Sequence, residues 1–402
     1  MLLSYDNVLF PVCPSIERVV LVNIYSGPRS TTYRVPRCSI TGNSQGKVEK
    51  MNKNKQRIRD IFVGTDTRPS FLYQPPLVSL TEVGDFTLSH EPVEKWVPWV
   101  VENYQREVAS LEKHQDDSVP LAKLSTGTQL FAHSFGCEVH VPPNDMPCAL
   151  PLVKSAAEAD KLDVPDIWKT PCLYRVFELG RAVQRELGNE VDLGVCDMQT
   201  GFDIASLIWD KNDMLYAMTV EPEAVKHLSA KCVLLLKTFL VELRKEFPTM
   251  SPCHCPGHWV PPELGPWVSN DEVGIMSAEM FEEFCLPELN DLADTFGGLA
   301  MHCCADAEHQ FSGFRKIRNF YGFNRVEARR GYLPLLEHFV GPGSPVHCLA
   351  WVADDVIEQL VTRAPAGTRF IFVKMGGDDD EATLWLERKR MLRHGARGQR
   401  HA

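Results

Sequence analysis

From about residue 70 onward, short apolar runs alternate with longer stretches whose apolar residues recur at helical spacing. The short runs predict strands at 71–73, 121–124, 191–196, 250–255, 299–304, 324–328, 345–350 and 369–373. The helices between them are clearly punctuated. One opens at Glu221-Pro222-Glu223, where proline suits the first helical position and the acids suit the positive end of the helix dipole. It continues through Val225, Leu228, Cys232, Leu235, Leu236, Phe239 and Leu243, and Pro248 stops it. A second is capped by Ser277 and carries Phe281, Phe284, Cys285, Leu289, Leu292 and Phe296 on one face, with a kink expected at Pro287.

Eight strands alternating with helices over roughly 320 residues predict an α/β protein, a single-domain (β/α)8 TIM barrel. The competing architecture is an open doubly wound sheet. Neither a Gly-x-Gly-x-x-Gly after the first strand nor a Walker-type lysine loop occurs, so nucleotide binding lacks its usual support.

Composition narrows the class. The 402 residues are 44% hydrophobic and 24% charged, with a net charge of −11. No run approaches the roughly 18 apolar residues of a membrane helix. The apolar run at 19–22 is too short for a secretion signal, so a cytoplasmic protein without a membrane partner is expected. Residues 1–50 carry six bases against three acids, and 388–402 carry six bases and no acid, which leaves −20 on 51–387. A body so acidic repels phosphate backbones, and nucleic acid is not an expected partner. The aperiodic first fifty residues read as a disordered leader or an upstream mis-start before Met51. Residues 51–387 read as the barrel, and 388–402 as a basic C-terminal tail.

Thirteen cysteines in a large chain without a secretion signal read as free thiols, most of them core, some available to metal. Met301-His302-Cys303-Cys304 ends a predicted strand. Alternation puts His302 and Cys304 on one face and Cys303 on the other, offering an imidazole and a thiolate at the barrel mouth, both good zinc ligands. Pro252-Cys253-His254-Cys255-Pro256-Gly257-His258 ends the preceding predicted strand. Cys255 could complete a three-ligand site with an open position, and Cys348 is the other candidate, two strands further round. The carboxylate-rich stretch from Glu263 through Trp267 and Asp271 to Glu272 reads as a loop that could wall a substrate. Asp197, Glu327 and Lys374 are further acid or base candidates at strand ends. No Gly-x-Ser-x-Gly elbow supports serine hydrolysis.

In order along the chain stand Phe135-Gly136-Cys137-Glu138-Val139, Met146-Pro147, Pro165-Asp166, Gly201-Phe202-Asp203, Asp213-Met214-Leu215 and Glu221-Pro222-Glu223. Trp267 with Asp271, the stretch 277–287 and His302-x-Cys304 follow. This order, over about 52–375, resembles the uroporphyrinogen decarboxylase superfamily, which includes corrinoid- and thiol-dependent methyltransferases of the same barrel fold. True decarboxylases open with Arg-Gln-Ala-Gly-Arg-Tyr, where this chain has Pro69-Ser70-Phe71-Leu72-Tyr73-Gln74-Pro75-Pro76. The catalytic Asp of their second strand has no counterpart in Ala122–Gly127, and Met375-Gly376-Gly377 replaces their last His-Gly.

The methyltransferase branch implies zinc on His302 and Cys304, activating a thiol, with a corrinoid as substrate or as a partner protein's cofactor. That branch's third ligand is a cysteine near strand eight. None lies between Arg369 and Gly377, which leaves Cys255 or Cys348. Asp271 or Glu263 would orient a small-molecule substrate. The expected function is therefore zinc-assisted methyl transfer involving a thiol or corrinoid. The alternatives are a lyase decarboxylating uroporphyrinogen, in porphyrin biosynthesis, or a smaller acid, and a non-catalytic small-molecule binder.

Overall fold

The computed structural model describes residues 44–395, apart from 79, 144, 145, 327 and 328. Its helices include α1 (Ser44–Val63), α2 (Val97–His114), α3 (Pro171–Leu187), α4 (Gly201–Ile208), α5 (Pro222–Glu246), α6 (Leu286–Phe296), α7 (Asp354–Arg363) and α8 (Asp379–Gly395). Eight parallel strands accompany them: β1 (Ser70–Gln74), β2 (Ala122–Lys123), β3 (Leu193–Gly194), β4 (Trp267–Ser269), β5 (Leu299–Cys303), β6 (Phe320–Arg325), β7 (Val346–Ala350) and β8 (Phe370–Met375). Six of them form one parallel sheet in the order β1-β8-β7-β6-β5-β4, and β2 pairs in parallel with β3. Isolated parallel bridges join Gly194 to Ser251 and Gln199 to Ser269. The protein is thus an α/β fold with a parallel central sheet.

The sheet buries both faces, and strand alternation sorts its side chains. Phe71, Tyr73, Val268, Leu299, Met301, Phe323, Leu349, Phe370 and Phe372 pack with the helices. Leu72, Trp267, Ala300, Val346, Cys348, Ala350, Ile371 and Val373 form a second cluster on the inner face. Ile58 and Ile61 of α1 join that inner cluster, one helical turn apart.

Helix α5 follows the pattern read for it. Pro222 sits in its first turn, Arg244 and Lys245 in its last, and every apolar position predicted for its face is buried. The helix expected from Ser277 runs without interruption to Phe296, and the irregularity expected at Pro287 falls just ahead of it. Ser277 caps a short first turn, 281–285 widen into a π-turn, and α6 continues from it with Pro287 in its first turn. Proline has no N–H to give the carbonyl a turn behind it, so the ladder slips by one residue.

Two strand expectations are corrected. The segment 250–255 keeps only the Ser251 bridge, because Pro252 and Pro256 cannot donate to a ladder. The strand beside β5 is β4, which lies in the stretch read as a loop. The strand expected at 324–328 is displaced to Phe320–Arg325, with 327 and 328 outside the described residues.

Helix α1 begins seven residues before Met51, and the rest of the expected leader lies outside the described residues. The expected tail begins inside α8. Lys389 is fully buried against Asp354 at 3.2 Å, Arg390 donates to the His114 carbonyl, and Arg393 pairs with Asp117.

No backbone ladder joins β1 to β2 among the described residues, and side chains satisfy the edge groups there. The Tyr73 N–H donates to Asp116 Oδ2 at 2.6 Å, and Phe71 N–H to Asp117 Oδ2 at 3.2 Å. The Leu121 N–H donates to Glu107 Oε2 at 2.9 Å, and the Ser118 hydroxyl donates to the Tyr73 carbonyl at 3.1 Å. These carboxylates do for the edge what a neighbouring strand does elsewhere. No described helix is long and apolar enough to cross a membrane.

Candidate metal centre

Three side chains converge where β4 and β5 end. One ligand atom each from Asp271, His302 and Cys304 lies within 4.8 Å of the other two. His302 is on the inner face because its neighbours Met301 and Cys303 pack outward. Cys304 follows β5 on the same parity, as alternation predicted.

Each member is held from behind. Asn324, on the inner face of β6, donates Nδ2 to the Cys348 carbonyl at 2.5 Å, which leaves its Oδ1 facing His302 Nδ1, also at 2.5 Å. That contact requires a proton on Nδ1, and Nε2 is directed toward Asp271 Oδ2 at 4.0 Å. Asp271 is fixed at both ends. Its N–H donates to Asp203 Oδ2 at 2.7 Å, and its Oδ1 accepts the Cys304 N–H at 2.6 Å. Asp203 sits in the first turn of α4, where the Thr200 cap accepts its own N–H.

Burial opposes charging of His302, but Cys255 and Asp271 beside it outweigh that and hold the imidazole well above its usual range. Burial pushes the Cys304 thiol up to about 11 despite its contact with His302. Burial likewise raises Asp197 to about 7, against the pull of His302 and with the push of Asp271. His254 is held down at about 3 by burial and then by His302, so it stays neutral. Its Nε2 meets Ser269 Oγ at 2.9 Å, and its ring lies 6.3 Å from that of His302. Asp197 Oδ1, Gln199 Oε1 and His254 Nδ1 are buried polar atoms with no hydrogen-bond partner among the described residues. Such atoms are rare in native cores and common where a ligand or water supplies the missing bond.

The residues singled out from sequence fall in different places. His302, Cys304 and Asp271 come together. Cys255 lies beside them on the Asn324 side of the imidazole, its Sγ 3.9 Å from Asn324 Oδ1 and outside the three-residue group. Cys348 is fully buried in the inner apolar cluster, and only its backbone carbonyl reaches the site's network. Trp267 is fully buried in the same cluster, edge-on to His258 and Tyr321, instead of walling a loop. Glu263 lies apart, paired with Arg59 of α1 at 3.0 Å. Glu327 is outside the described residues, and Lys374 shares the outward parity of Phe372. Asn324, Asp203 and Gln199 had no assigned role from sequence. Asn324 alone carried a local signal, an amide directly after the apolar and aromatic run Phe320–Phe323.

No family model matches the chain, and no curated protein matches it. Among solved structures, its fold is similar to that of a methyltransferase from Methanosarcina mazei, with a TM-score of 0.58 and 14% sequence identity. The match covers 87% of this chain and 99% of that one. At that identity the likeness is one of fold.

Proposed function

We propose that this protein is a zinc-assisted methyltransferase acting on a thiol or a corrinoid, built on a closed eight-stranded barrel of the uroporphyrinogen decarboxylase superfamily. Two separate apolar clusters, one on each face of a parallel sheet, support closure, as do the β2–β3 pair and the carboxylate-sealed edge beside β1. The similar fold of the Methanosarcina enzyme supports the branch.

The observation that carries the reading is the convergence of Asp271, His302 and Cys304. Nitrogen, sulfur and carboxylate donors are the set zinc prefers, and three protein ligands leave the open position of a catalytic site. Zinc held by these three residues would lower the pKa of a thiol brought to it and so supply a thiolate to accept a methyl group. The chain's own residues do the rest. Asn324 keeps His302 Nε2 turned to the site, and Asp203 keeps Asp271 in place. Asp197, whose buried carboxyl is held at about 7, would be the base for the proton such a thiol gives up, and His254 is too weak a base to compete. Gln199 and His254 offer unpaired polar atoms to the substrate's polar groups. A corrinoid, free or on a partner protein, is the methyl donor this reading implies. Two carboxylates at the site, Asp197 and Asp271, disfavour a polycarboxylate tetrapyrrole.

Elemental analysis of the purified protein tests this. About one zinc per chain is expected, lost in Cys304→Ser and in Asp271→Asn. Zinc that survives Cys304→Ser, or a metal-free wild type, would end the proposal.

A further inference from the structure

A cavity of about 440 Å³ opens on the outer side of β7 and β8, beneath α7 and α8. That is within the size range of small-molecule sites. Its floor is apolar, made by Leu349, Phe372 and the nearly buried Trp385. Trp351 stands at the cavity with φ at +58°, a left-handed conformation that a bulky side chain rarely adopts, and keeps 39% of its surface exposed. Strain of this kind collects at ligand sites.

The charged side chains of the lining are unevenly paired, with Lys374 half-buried and Glu381 exposed. Arg388 is paired with Asp354 at 3.2 Å. The side chains of Lys374 and Glu381 form no ion pair or hydrogen bond with described residues, although both border the cavity. They flank the Gly376-Gly377 turn: a methyl built on Gly377 would lie 2.6 Å from Glu381 Oε2 and 3.7 Å from Lys374 Nζ. An ammonium and a carboxylate thus stand near each other without meeting, at the edge of an apolar, tryptophan-walled space. A simple anion would be drawn to Lys374 and repelled by Glu381, and a simple cation the reverse. A zwitterion satisfies both.

We propose that this cavity binds a free α-amino acid with an apolar or aromatic side chain, its carboxylate on Lys374 and its ammonium on Glu381. The side chain lies on Phe372 and Trp385, with Trp351 closing the open side. This site faces away from His302, on the other face of the sheet, and does not depend on the proposed methyl transfer.

Calorimetric titration of the full chain with L-phenylalanine, 3-phenylpropionate and phenethylamine tests it. L-Phenylalanine is expected to bind, and each single-charge analogue roughly tenfold more weakly, the loss of one charge-assisted contact. Lys374→Met is expected to bring L-phenylalanine down to the affinity of phenethylamine and leave phenethylamine unchanged. Glu381→Gln is expected to do the same relative to 3-phenylpropionate. Zinc content is expected to stay at the wild-type level in both variants. Equal affinity for the three compounds, insensitivity to both substitutions, or no heat from L-phenylalanine at millimolar concentration would overturn the proposal.

Discussion

Asn324 holds His302 from the far side of the candidate metal centre: its Oδ1 sits 2.5 Å from Nδ1, and its Nδ2 is anchored on the Cys348 carbonyl. The amide can present only its oxygen to the ring, so the tautomer follows from a contact made two strands away. Replacing Asn324 with Leu removes this constraint while keeping similar volume. Zinc affinity is expected to fall roughly 10–100-fold, as measured by competition with a chromophoric chelator. Unchanged affinity would show that the ring is held by packing alone.

Asp203 plays the equivalent part for Asp271. It accepts the N–H groups of Asp271 and Glu272 from inside α4, and burial followed by repulsion from those two acids raises its pKa well above the usual range. Asp203→Ala strands two backbone donors, a cost of about 1–3 kcal/mol in chemical denaturation. Zinc content is expected to drop with it, because the Asp271 carboxylate loses its fixed position. Asp203→Asn, which keeps an acceptor, is expected to recover part of both.

Two adjacent aspartates at the β1–β2 edge respond oppositely to pH. Burial works against ionised Asp117, but Arg393 and Arg57 outweigh it and lower its pKa. Its stabilisation is therefore present above the unfolded value near 3.8 and is lost as pH falls through the lower folded value. Burial raises Asp116 to about 6, so its stabilisation is full below 3.8 and is lost as pH rises through about 6. Denaturation curves compared between pH 3 and 7 are expected to show Asp117→Asn flattening the acid limb. Asp116→Asn is expected to flatten the slope between about pH 4 and 6. The same response in both variants would contradict the assignment.

Gly322 makes room for Trp267. A methyl there would lie 2.8 Å from Trp267 Cζ3 and 3.1 Å from Ala300 Cβ, inside the fully buried inner cluster. Gly322→Ala is expected to cost about 1–3 kcal/mol by overpacking. Adding Trp267→Phe is expected to return part of that loss, and a strictly additive double variant would show that the two positions do not touch.

Much of this architecture is written locally. The alternation of short apolar runs with helical stretches marks most strands, because period 2 and period 3.6 are set within a few residues. Helix α5 is legible end to end, because Pro222, Glu223 and Pro248 act on their own backbone. The shared face of His302 and Cys304 likewise needs nothing beyond their own strand.

What the chain alone could not decide is which other strand ends meet that face. Register between strands depends on the whole sheet, so the third member came from Asp271 after β4, while Cys348 turned into an apolar cluster. The segment 250–255 looked like a strand by composition, but Pro252 and Pro256 keep it out of the ladder, and Cys255 lies beside Asn324 and outside the group of Asp271, His302 and Cys304. Trp267 looked like a loop residue until Gly322, on a strand more than fifty residues later, supplied the space for its ring. Sequence determined the candidate donors His302 and Cys304 and the face they share. Tertiary packing decided their companions, because contacts between distant segments are set by how the sheet packs on its core and not by any local period.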